Sequence, residues 1–178
     1  DEIERLREDI KRVLEESTRR NKKLLDEIRK ALDESRRKNE EAIRRNEEVV
    51  RDLKDRKVPD KKVKEVIDRN RRMLEELVRD DKDLLKRLEE RVRELHETDR
   101  KLIKDLRELL RRIIEKRGET DKVRTLRREL EEVARALEEL NRRVEEELDE
   151  VRKESERLNK ELEDSIRKSA EDAKRTTK

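Results

Sequence analysis

Phenylalanine, tyrosine, tryptophan and cysteine are absent from this 178-residue chain, and glycine, proline, methionine and histidine occur once each. Without cysteine there is no disulfide framework and no thiol redox chemistry. Without aromatic rings there is no stacking platform for single-stranded nucleic acid. No apolar run exceeds two or three residues, so a membrane span of about 20 apolar residues is excluded, as is the apolar core of a signal peptide. An excess of one charge sign is missing too: 55 Lys and Arg stand against 52 Asp and Glu, a formal charge of +3. Balanced, interleaved charge argues for solvated helix faces laced by i,i+4 pairs, not for a nucleic-acid or membrane footprint. The chain opens on Asp1 instead of Met, which suggests trimming, and no targeting signal is evident, so a soluble chain is expected.

What is present is narrow. Charged residues make up 60% and hydrophobic residues 29%, against roughly 25% and 45–50% in ordinary domains. Such a balance can mean disorder, but disordered chains are rich in Pro, Gly and Ser. Here the alphabet is Glu, Lys, Arg, Asp, Leu, Ile, Val and Ala, mostly good helix formers, and the apolar residues recur at spacings of three and four. Ile3, Leu6, Ile10 and Val13 begin one stripe; Val63, Ile67, Leu74 and Leu88 belong to a second; Val123, Leu126, Leu130 and Leu137 belong to a third.

Two interruptions divide the stripes. Pro59 lacks an amide proton and pushes Val58 out of the helical region, leaving Asp60 suited to cap the next helix. Lys116-Arg117-Gly118 places cations in a last turn and then the glycine where a left-handed residue ends a helix. Thr120 or Asp121 can cap the segment that follows. The expected fold is all-α: helices over about 1–57, 60–117 and 120–175, each about 80 Å long at 1.5 Å per residue. Connections of a few residues force antiparallel neighbours, giving a single up-down-up three-helix coiled-coil bundle over 1–178, with long, nearly straight helices. Apolar content fades after Ile166, so Ser169 to Lys178 is expected to fray.

Polar residues interrupt the apolar stripes, and they coincide in height. Across the first turn, antiparallel partners should have numbers summing to about 117, and across the second to about 237. That arithmetic pairs Thr18 with Asp99, Asn21 with His96, Ser35 with Asp81, Asn46 with Asn70 and His96 with Asn141. Three layers result. The first holds Ser17, Thr18, Asn21, His96, Asp99 and Asn141; the second Ser35, Asn39, Asp81, Ser155 and Asn159; the third Asn46, Asn70, Ser165 and a possible fourth member, Ser169. A buried polar group without a partner costs roughly 1–3 kcal/mol, so grouping lets these residues satisfy one another. It also fixes register, because any slip sets polar groups against leucine.

Sharper readings of the same residues carry less. His96 and Asp99, one turn apart, could ligate a metal, but zinc wants three or four strong ligands and Thr18, Asn21 and Asn141 are poor ones. As an acid–base pair they would need a substrate-sized cleft. Asp81 could be a buried acid of raised pKa, though a satisfied network acid is the simpler reading. Arg36-Arg37-Lys38, Arg44-Arg45, Arg111-Arg112, Arg127-Arg128 and Arg142-Arg143 are each flanked by acids. No catalytic, cofactor-binding or metal residue is assigned, and no cofactor, nucleic-acid, membrane or small-molecule partner is expected.

With those residues in view, the whole chain resembles de novo designed helical bundles with buried hydrogen-bond networks. The resemblance rests on the turns Val58-Pro59-Asp60 and Arg117-Gly118-Glu119-Thr120, the aliphatic core, the charged surface, and polar core residues such as Asn21, His96 and Asp99. It implies a synthetic structural bundle or scaffold, not an enzyme, with no natural biochemical activity and a register set by its polar layers. The alternative it leaves open is a helical binding module completed by a fourth helix, a designed partner or a second copy of itself.

Overall fold

A computed structural model describes residues 1–55 and 59–176, without the side chains of 60 and 173–176. It contains three helices, α1 (Glu2–Asp55), α2 (Asp60–Arg117) and α3 (Asp121–Thr176), of 54, 58 and 56 residues. No strand occurs among the described residues. The long-range contacts below pair α1 and α2, and α2 and α3, as antiparallel neighbours: the fold is a three-helix bundle.

The helix ends follow from single residues. Asp1 caps α1, its Oδ1 accepting from the Ile3 amide at 3.4 Å and its carbonyl from Arg5 at 3.1 Å. The α2 cap is Pro59, not Asp60. The Pro59 carbonyl accepts from Lys62 at 2.9 Å and Val63 at 3.2 Å, so Asp60 is already the first helical residue. The missing amide of Pro59 is harmless there, because the first amides of a helix have no intrahelical acceptor. The Asp60 side chain, the end of helix one at 57 and the extended backbone expected of Val58 lie outside the described residues. Gly118 adopts φ 74°, and its amide bonds to the Ile114 carbonyl at 2.8 Å, the left-handed C-terminal cap that a side chain would strain. Thr120, not Asp121, caps α3 through its hydroxyl, which accepts from Val123 at 3.3 Å. Over the described part of the stretch expected to fray, α3 continues to Thr176 and Ser169 is buried; 177 and 178 lie outside the described residues.

The helices contribute to two compact units. Unit 1 comprises 1–28 and 88–148; unit 2 comprises 29–87 and 149–178. In unit 1 the aliphatic residues of all three helices over 3–13, 103–113 and 123–137 form one cluster. Ile3, Leu6, Ile10 and Val13 meet Ile103, Leu106, Leu110 and Ile113, with Val123, Leu126, Leu130 and Leu137 completing the seam. Each such side chain contributes about 1.5–3 kcal/mol when fully buried. Ion pairs edge the seam in antiparallel register: Asp1 with Arg117 at 3.1 Å, Glu2 with Lys116 at 3.8 Å and Glu27 with Arg91. Across α2 and α3, Arg107 holds Glu131 through two bonds of 3.1 Å.

Unit 2 has smaller apolar clusters. Val63 and Ile67 pack with Leu53, and Leu74, Val78 and Leu162 pack with Ala42, Ile43, Leu77 and Ile166. Within this unit the fully buried side chains of α1 are all polar: Ser35, Asn39 and Asn46. Its α1 aliphatics, from Ala31 and Leu32 to Val49, Val50 and Leu53, are only half-buried.

Candidate functional site

The polar residues that interrupt the stripes sit on the same seam as the aliphatics around them. On α1 the buried series Ile10, Val13, Ser17, Asn21, Leu24 and Ile28 advances by threes and fours, which keeps Ser17 and Asn21 on the core face. Thr18 lies one 100° step past Ser17 and is exposed, so it does not belong to the first layer. On α2 the seven-residue series Ile67, Leu74, Asp81, Leu88 and Leu95 is buried throughout, so Asp81 occupies a position its neighbours give to aliphatics. On α3, Leu148, Ser155, Leu162 and Ser169 form such a series.

In unit 1 the first layer is built on Asn21. Its Nδ2 donates to the Ser17 carbonyl at 2.9 Å, lies 3.2 Å from the Ser17 hydroxyl, and reaches Asp99 Oδ2 at 3.5 Å. Asp99, 1% exposed, also faces Arg20 at 3.8 Å. His96 turns to α3, its Nδ1 2.8 Å from Glu145 Oε1. The pairing differs from the sequence arithmetic by one helical turn: Asn21 meets Asp99 where His96 was expected, and His96 meets Glu145 where Asn141 was expected. Asn141 is half-buried. Arg20 and Glu145 escaped the sequence reading because charged residues were assigned to the solvated face. The available signal was position: Glu145 follows Asn141 by one turn on the same face, and Arg20 adjoins Asn21.

The second layer, in unit 2, buries Ser35, Asn39, Asp81, Ser155 and Asn159, with Asn39 at 0% exposure. Burial pushes the Asp81 carboxyl above the ordinary aspartate range; the Ser35 hydroxyl, the Asn39 amide and Lys38 favour the ionised form without cancelling that penalty, and Asp80 adds to it. Ser35 Oγ and both polar atoms of the Asn39 side chain close no hydrogen bond of good geometry among the described residues, nor do Asp81 Oδ2 and Asn159 Oδ1.

The third layer, also in unit 2, is closed, with Asn46 and Ser169 buried and Asn70 and Ser165, expected to be buried, only half-buried. Asn46 Nδ2 donates to Ser169 Oγ at 2.6 Å and Ser165 Oγ at 3.3 Å, while its Oδ1 accepts from Asn70 Nδ2 at 3.3 Å. The Ser169 hydroxyl in turn donates to the Ser165 carbonyl at 2.9 Å. Asn46, Asn70 and the two serines thus link α1, α2 and α3, and both functions of the Asn46 amide are used.

The chemistry open to these layers is limited. Serine and asparagine carry no charge and ionise at no ordinary pH. Asp99 is directed to Asn21 and Arg20, and His96 to Glu145. Among the described residues, no group of three or more His, Asp or Glu side chains is arranged to hold a metal ion, and no helix is long and apolar enough to cross a membrane.

No protein-family model matches the chain, and no curated protein matches it. A solved structure described as a computationally designed three-helix bundle is similar in fold, with a TM-score of 0.59 and 22% identity over 98% of this chain and 79% of that one. At that identity the likeness concerns the three-helix architecture alone.

Proposed function

We propose that this chain is a designed structural bundle, without catalytic activity, whose buried polar layers select one register among the pairings its repetitive aliphatic seam would allow. The closed network of Asn46, Asn70, Ser165 and Ser169 carries this reading. It draws on all three helices, and any slip along the seam would set its amides against leucine, at roughly 1–3 kcal/mol for each buried group left unpaired. The narrow composition and the fold shared with a computationally designed three-helix bundle support the same conclusion.

The test is to make the third layer apolar, with Asn46→Leu, Asn70→Leu, Ser165→Ala and Ser169→Ala together. Removing every partner at once leaves nothing unsatisfied, so the variant should stay helical and melt at the same temperature or higher. Its amide NMR spectrum should broaden or double as alternative registers become populated. A variant retaining one sharp set of resonances would show that the layer does not select register, and the proposal would fail.

A further inference from the structure

The second and third layers both lie in unit 2 and are both made largely of asparagine and serine, yet only the third bonds to itself. There Asn46 reaches Ser169 at 2.6 Å and Asn70 at 3.3 Å. In the second layer Ser35 Oγ, Asn39 Nδ2 and Oδ1, Asp81 Oδ2 and Asn159 Oδ1 are shielded from bulk solvent, and none closes a hydrogen bond among the described residues. The side chains are nonetheless neighbours. Ser35 and Asn39 lie close enough to Asp81 to favour its ionised form. Arg36 with Glu154 at 3.3 Å on one side, and Asn46 with Ser165 at 3.3 Å on the other, pair α1 with α3 in the register that sets Asn159 level with Asn39. Buried polar groups left without direct partners in this way are where ordered solvent belongs.

We propose that the second layer is a binding site for internal water, which joins the three helices where their side chains do not join directly. The unpartnered atoms are complementary in kind. On α1 stand donors, the Ser35 hydroxyl and the Asn39 amide nitrogen; on α2 and α3 stand acceptors, Asp81 Oδ2 and Asn159 Oδ1, which cannot bond each other. One water donates to both acceptors and accepts from both donors, using all of its hydrogen-bonding capacity. Asn39 Oδ1, the remaining unpartnered atom, exceeds that capacity and calls for a second molecule. The sequence makes room. Ser35 follows Ile28 by one heptad on α1, and Ser155 stands between Leu148 and Leu162 on α3. Each serine gives up, at its own position, more than the roughly 30 Å³ that one water occupies. A metal cation fits less well, because the Asn39 amide donates into the same space and Lys38 already acts on Asp81. The inference does not depend on the register-selecting role of the third layer: a second layer without water would overturn it and leave that role intact.

The experiment is water-oxygen magnetic relaxation dispersion on the full chain, which counts water molecules held for longer than the protein takes to tumble. The parent is compared with a variant whose second layer is apolar: Ser35→Ala, Asn39→Leu, Asp81→Leu, Ser155→Ala and Asn159→Leu together. The variant should lose the amplitude of one or two waters, since a site lined by aliphatic groups stays dry. Equal amplitudes in the two folded proteins would overturn the proposal. A high-resolution crystal structure of the parent decides the matter without any variant. It should show a water oxygen within about 3.2 Å of both Asp81 Oδ2 and Asn159 Oδ1. Side chains bonded directly across the layer, with no water between them, would overturn the proposal. So would a melting temperature that rises when sodium replaces choline at equal ionic strength in the parent but not in the apolar variant, because the occupant would then be a cation.

Discussion

The two units each span 89 residues of the chain and share three helices, yet they fill their interiors differently. Among the described residues, 21 buried hydrophobic side chains lie in unit 1 and seven in unit 2; buried polar side chains number four and seven. The contrast is sharpest on α1. Its first half buries Ile3, Leu6, Ile10, Val13, Leu24 and Ile28, whereas the fully buried residues of its second half are Ser35, Asn39 and Asn46. Aliphatic burial is strong but indifferent to register, since one leucine hole resembles the next. Amide and hydroxyl networks add little net energy and tolerate few arrangements. Unit 1 therefore draws mainly on aliphatic burial, and unit 2 buries as many polar side chains as aliphatic ones. It follows that α1 beyond residue 29 opens more readily than α1 before it, which amide hydrogen exchange reads directly. Equal protection along α1 would contradict the division.

The largest expected effect comes from removing matched leucines. Leu130 and Leu162 both have 0% exposure on α3, one in each unit. Leu130→Ala leaves a cavity inside the continuous cluster of unit 1 and should cost about 3–5 kcal/mol, whereas Leu162→Ala, in a smaller cluster edged by half-buried neighbours that can collapse, should cost about 2–3 kcal/mol. Denaturant melts of the two variants measure the difference. Equal costs would mean that the clusters of unit 2 are as rigid as that of unit 1.

Next in size is Asn46→Ala, which strands partners instead of removing a layer. Asn70 loses its acceptor, and Ser165 and Ser169 lose their shared donor, for an expected loss of about 1–3 kcal/mol. In the first layer, Asn141→Ala should cost less than about 0.5 kcal/mol, because Asn141 is half-buried and its Oδ1 has no hydrogen-bond partner among the described residues. The same denaturant melts rank the two substitutions.

The sequence reading succeeded where one periodicity or one residue decides the outcome. Gly118 ends α2 because few other residues adopt φ 74° without strain, and the seam positions follow from spacings of three and four. It erred where the outcome depends on angle and rise together. Counting from the turns gives the height of a residue to within about one helical turn, which is too coarse to separate Asp99 from His96 as the partner of Asn21. Height says nothing of the 100° that carries Thr18 into solvent. Pro59 displaced Asp60 from the capping position because the cap needs only a carbonyl there. Charged residues such as Arg20 and Glu145 were passed over because the reading allowed a long side chain only one face, although its stem can follow the seam while its head group reaches a buried partner.

The smallest effect sharpens the comparison within unit 2, between a layer that closes and one that does not. Burial raises the Asp81 pKa above 3.8 in the folded protein. Between 3.8 and the raised value, the folded chain holds a proton that the unfolded chain releases, so the Asp81 contribution to stability falls as pH rises through that window. Acidification from neutrality should recover it, completely once pH is below 3.8. Surface carboxylates paired with arginine act in the opposite sense: Glu119 and Glu154, held low by bonds to Arg127 and Arg157, lose their contributions on acidification. The raw pH profile therefore mixes both, and Asp81→Asn separates them. The variant keeps the shape and removes the charge, so it should be more stable than the parent at pH 7, and the difference should shrink to nothing as pH falls below 3.8. Paired thermal melts across that range measure it. A variant less stable than the parent at pH 7 would mean that Ser35 and Asn39 bond the carboxylate well enough to outweigh its burial, making the second layer as complete as the third.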